Sequence, residues 1–188
     1  LSQPHPPIEF LAPPFVIIFC LLAGIRFAFE MPADLRANWI FKLWIAPDSE
    51  EARPIARRVL HTLTLAWLAP ITFLFTLHYF GWRDATLHTA ILVAWSFLLA
   101  ECLIVNFRKI PFTCAYPQFE SSSGLVLVAY LFGFFLFTDD IPAIERWSLA
   151  DPIRILVFVP LLATGFAVIQ LRRRQLLDMD KTLIFSES

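Results

Sequence analysis

Five stretches of this sequence each run for close to twenty residues with almost no charge, and that feature constrains the fold more than any other. Crossing about 30 Å of hydrocarbon takes roughly 20 residues of helix. The runs are residues 8–29, 59–80, 87–107, 122–138 and 153–171. They are apolar on every face, whereas the strands of a membrane barrel alternate apolar and polar residues, so barrel spans are excluded. The sequence therefore predicts an all-α, polytopic transmembrane bundle of about five spanning helices, one transmembrane domain over residues 1–188. Composition agrees, because only 16% of residues are charged against 58% hydrophobic, with 20 Phe and 6 Trp. A water-facing surface built from so many large apolar groups would aggregate; a lipid-facing one removes the difficulty.

The hairpin between the second and third runs is the clearest local feature. Only GWRDAT separates them, which forces an antiparallel pair. Basic residues then orient the bundle, because Lys and Arg accumulate in short cytoplasmic loops. On one side lie Arg26, Arg36, Lys42, Arg53, Arg57, Arg58, Arg108, Lys109, Arg172, Arg173, Arg174 and Lys181; on the other lie only Arg83, Arg146 and Arg154. This places the N-terminus outside and the C-terminal tail in the cytoplasm, with Asp139, Asp140, Glu145 and Asp151 in an outer loop. Because LSQPHPP lacks the basic n-region of a signal peptide, residues 1–188 are expected to be the C-terminal part of a longer chain, with an odd number of spans ahead of them. A five-span protein with a short translocated tail is the alternative.

Between the first two spans, PADLRANWIFKLWI reads as an amphipathic helix over residues 33–45. Asp34, Asn38 and Lys42 form one polar stripe, opposite Trp39, Ile40, Phe41, Leu43 and Trp44. Too short to span, it is expected to lie in the cytoplasmic headgroup region or to pack on the bundle as a lid. The loop FRKIPFTCAYPQFESSSG opens with Arg108 and Lys109, candidates for contact with a lipid headgroup, although an ordered connection whose cations set topology is the simpler reading. Cys114 in this loop, like Cys20 and Cys102, is read as a free thiol, since there is no CxxC and no His at zinc-ligand spacing. No metal, other cofactor or nucleic-acid partner is implied.

No P-loop, GxSxG, HExxH or dinucleotide fingerprint occurs, so any site must rest on polar groups inside the membrane. Glu101 lies within the third run, about one and a half turns from its cytoplasmic end. Arg26 and His61 stand at comparable depth on the first two runs, so Arg26, His61 and Glu101 form a candidate intramembrane cluster. In the plainer alternative Arg26 snorkels, His61 sits at the interface and Glu101 bonds within the bundle. His78 and His88 flank the outer hairpin almost symmetrically, a weak suggestion of a shared metal or haem against the simpler reading of two interfacial polar residues. Pro70, in the middle of the second run, is expected to kink it.

The segments PADLRANWIFKLW and FRKIPFTCAYP resemble stretches of uncharacterised multi-span bacterial membrane proteins, where they fall in the C-terminal half. The resemblance implies a bacterial inner-membrane setting and further spans upstream. It carries no activity, cofactor or site residue. Three functions fit the sequence: a transport or permease-like component; a membrane-embedded enzyme acting on a lipid or lipid-linked substrate, with Glu101 and His61 as acid and base; and a structural or assembly subunit with no site, in a possible oligomer.

Overall fold

The structure, a computed structural model, describes residues 6–29, 52–105 and 123–179. The expected surface helix at 33–45 and the loop bearing Arg108, Lys109 and Cys114 lie outside these. The described chain is helical: α1 (Ile8–Ala28), α2 (Ala52–Leu63), a π segment (Thr64–Leu68), α3 (Ala69–Phe80), α4 (Trp82–Ile104), α5 (Ser123–Phe135), a second π segment (Leu136–Asp140), α6 (Ile141–Leu149), a 3-10 turn (Pro152–Val157) and α7 (Phe158–Met179). Among the described residues, five stretches are long and apolar enough to cross a membrane: Ile8–Ala28, Ala56–Phe80, Trp82–Ile104, Leu127–Leu149 and Ile153–Gln175. This is an all-α, multi-pass integral membrane protein.

Its helix ends differ from the apolar runs in instructive ways. The hairpin loop shrinks to Gly81, which stands at φ 93° and ψ 172°, a conformation nearly closed to residues with a Cβ. Its N–H closes α3 on the carbonyl of Leu77, and its carbonyl accepts from Ala85 in the first turn of α4. Trp82, Arg83 and Asp84 are therefore helical. The fourth helix continues past Thr138, where the apolar run stops, through the π segment and α6. In α6 the residues Ile141, Pro142, Glu145, Ser148 and Leu149 are buried, and Arg146 and Trp147 face outward. That spacing is one face of an amphipathic helix, so Asp139, Asp140 and Glu145 are not loop residues.

The two π segments share a design. Each ends two residues before a proline: Ala69 donates to the carbonyl of Thr64 ahead of Pro70, and Ile141 to that of Leu136 ahead of Pro142. A proline ring clashes with the carbonyl four residues back and supplies no N–H. A wider turn just before it absorbs both problems without ending the helix. At Pro70, where a kink was expected, the helix carries this wider turn, and the same device recurs in the fourth span.

Helix α4 is the hub, packing against α1, α2, α3 and α7. Lipid tails are as apolar as leucine, so close packing rather than the hydrophobic effect holds such helices together. Phe15 and Phe19 of α1 meet Phe137 and Phe134 edge-on, with ring centroids 5.4 Å apart in each pair. Such pairs contribute about 0.5–1.5 kcal/mol beyond area burial. Gly165 lets α7 approach α4 so closely that a Cβ there would stand 2.8 Å from Leu98 Cδ2. The outer surface is a belt of exposed Ile71, Leu74, Phe132, Phe135, Val159 and Leu171, which a bilayer covers. Tyr79, Trp82 and Trp147 are also exposed near the hairpin end, where aromatic side chains suit the headgroup boundary.

Candidate functional site

Among the described residues, two clusters of ionisable side chains lie within the bundle, near opposite ends of α4. At the end remote from the hairpin, Glu101 is paired with Arg57 of α2: Arg57 Nη2 donates to Glu101 Oε2 at 2.9 Å, and Arg57 Nε lies beside Oε1. His61 is one turn along α2, its Nε2 3.9 Å from Glu101 Oε1, beyond hydrogen-bond length, and its ring lies 4.3 Å from that of Phe97. Arg26 reaches the same end of the bundle but not the carboxylate. Its Nε donates to the carbonyl of Leu103 at 2.9 Å, where a cation complements the C-terminal end of a helix. The candidate trio of Arg26, His61 and Glu101 is therefore loosely gathered, and the tightest partner of Glu101 is a residue outside it.

Geometry explains why Arg57 escaped the sequence reading. His61 and Glu101 both stand twenty positions from Gly81, so an uninterrupted hairpin sets them level. The π segment inserts a residue between Gly81 and His61, which turns α2 by about 100° relative to an unbroken helix. Arg57 and His61, four residues apart, share one face of α2, and the longer side chain of Arg57 reaches back one turn to Glu101 while His61 stands off. A shallow, open cleft adjoins the pair, lined by Arg57, Glu101, Ile104, Val105, Ile169 and Arg173, with enclosed room for about one water.

The second cluster was not anticipated. His88 Nδ1 lies 2.7 Å from Glu145 Oε1, with side-chain exposures of 1% and 0%. The pair joins α4 to α6 inside an apolar shell that includes Phe15, whose ring stands edge-on to the imidazole at 5.9 Å. Only one polar atom of each partner is satisfied. His88 Nε2 and Glu145 Oε2 are buried without a hydrogen-bond partner, as are His61 Nε2, Thr89 Oγ1 and Trp95 Nε1. Thr64, Ser96 and Thr138, also buried, bond instead to carbonyls four residues back in their own helices, an arrangement that asks for no further partner.

His78 and His88 do not share a site. His78 is exposed and stands edge-on to Tyr79, whereas His88 is turned inward on Glu145. Among the described residues no three His, Cys, Asp or Glu side chains converge. Glu145 carried a sequence signal, the amphipathic period of IPAIERWSL, that a search for apolar runs passes over. The chain matches no protein-family model, no curated protein and no solved structure.

Proposed function

We propose that the protein is a transport or permease-like component in which α4 carries a polar path and the His88–Glu145 pair binds the coupling proton. The observation that carries this reading is the pair itself. Fully buried, it avoids a large desolvation cost only while net neutral, with one proton on or between the two side chains. Losing or gaining a proton then creates an unpaired charge in a medium that disfavours it, and a change in packing or hydration must compensate. The unpartnered Nε2 and Oε2 atoms are where water or substrate would enter.

Two further features support transport. Polar atoms without partners occur along α4 between the two clusters, at Thr89 and Trp95, and the clusters are about 20 Å apart along the helix axis. Each cluster is also within about two turns of a π-proline break, at Thr64–Leu68 and Leu136–Asp140, and π segments frequently mark functional positions. The setting we propose is a bacterial inner membrane, N-terminus outside and C-terminal tail cytoplasmic, with upstream spans of the same chain or further copies covering part of the belt.

The test is a pH jump applied to the full-length protein on a solid-supported membrane. A transient charge displacement is expected in the wild type and in Glu101→Gln, and is expected to vanish in Glu145→Gln. No displacement in the wild type, or one that survives Glu145→Gln, overturns the assignment. One observation favours a second reading, an enzyme acting on lipid: the cleft beside Glu101 opens at the end of the bundle that carries Arg58, Arg172 and Arg174, with His61 close to the carboxylate.

A further inference from the structure

We propose that the cleft between the ends of α2, α4 and α7 binds the phosphate of an anionic bilayer lipid, held by Arg173 and the free edge of Arg57. This rests on the cleft alone and stands apart from the transport reading. Arg57 donates to Glu101 through Nη2, with Nε close to the carboxylate but not hydrogen-bonded, which leaves the two N–H groups of Nη1 unused. Arg173, half-buried on α7, lines the same cleft and has no acidic partner among the described residues. Two guanidinium groups against one carboxylate leave one positive charge, the complement of a single phosphodiester. Glu101 repels an anion that comes too close, so the phosphate belongs at the Arg173 side.

The apolar walls decide between a lipid and a soluble anion. Ile104, Val105 and Ile169 form the rest of the cleft, while Val168 and Leu171, about 60% exposed, lie round α7 on its outward side. A headgroup at the mouth of the cleft would pass its acyl chains round α7 onto that outward surface. Exposed Arg58, Arg172 and Arg174 surround the same end of the bundle and raise the local concentration of anionic lipid, each by about 1 kcal/mol of attraction near such a surface.

Native mass spectrometry of the full-length protein, titrated with phosphatidylglycerol or phosphatidylcholine, tests this. The wild type is expected to retain phosphatidylglycerol about five- to tenfold more strongly, in line with one charge-assisted contact. Arg173→Gln is expected to abolish that preference and Arg173→Lys to restore part of it, with helical content unchanged in both. Equal retention of the two lipids by the wild type, or a preference that survives in Arg173→Gln, overturns the proposal. A thermal-shift titration with inorganic phosphate in the absence of lipid separates the sources. Stabilisation there, with no preference for phosphatidylglycerol, assigns the cleft to a soluble phosphate and overturns the lipid.

Discussion

Removing one member of the His88–Glu145 pair is the most direct probe of the bundle. Glu145→Leu leaves an imidazole with no partner on either nitrogen, since His88 Nε2 is already unsatisfied. In a soluble core, a buried polar group stripped of its partner costs about 1–3 kcal/mol, and a stranded charge about 3–5. Membrane bundles are more forgiving. Interhelical polar pairs there average about 0.6 kcal/mol of coupling with a maximum near 1.7, because an unfolded helix in lipid also finds partners. At 2.7 Å and with both side chains essentially sealed, this pair belongs at the upper end. We expect Glu145→Leu and His88→Leu each to cost about 2 kcal/mol, and the double variant to cost less than their sum by about 1.5. Unfolding in mixed micelles of increasing SDS fraction, followed by circular dichroism, measures the cycle. Costs that add within about 0.5 kcal/mol would show that the two side chains are neighbours and not a pair, and the proton-binding reading would lose its basis.

Other consequences are quicker to check. Gly81→Val puts a β-branched residue at φ 93° and is expected to cost about 1–3 kcal/mol in the same assay; a neutral result would mean the turn is not a single residue. Gly165→Ala presses on the flexible end of Leu98 and is expected to be mild. Gly165→Phe has no room at that approach and is expected to separate α7 from α4, lowering the retention of phosphatidylglycerol along with stability. Single cysteines at Asp84 and Asp140 are expected to react with an impermeant maleimide on intact cells and one at Ser186 to stay unlabelled; labelling at Ser186 reverses the proposed topology.

What the sequence disclosed and what it hid divide along a physical line. Apolar runs report where a helix meets lipid, and all five spans were legible because lipid contact demands an unbroken run of that length. A run cannot report a helix that has left the hydrocarbon or lies against other helices. Hence the α4 residues Trp82, Arg83 and Asp84 looked like a loop, and α6 was missed beyond Thr138, although the period of Ile141, Glu145, Ser148 and Leu149 was present. The clusters follow the same logic. Glu101 stood out because a carboxylate interrupts an apolar run, whereas Glu145, among polar neighbours, interrupts nothing and is the more deeply buried of the two. The pairing of Glu101 with Arg57 was hidden for a different reason: equal residue counts from Gly81 pick out His61, whereas Arg57, one turn further along the same face of α2, reaches back to the carboxylate with its longer side chain. A proline in a span is also more than a possible kink. Where a π segment precedes it, every residue on its far side presents a rotated face, and partners inferred from equal distance to the hairpin turn must be shifted along the helix accordingly.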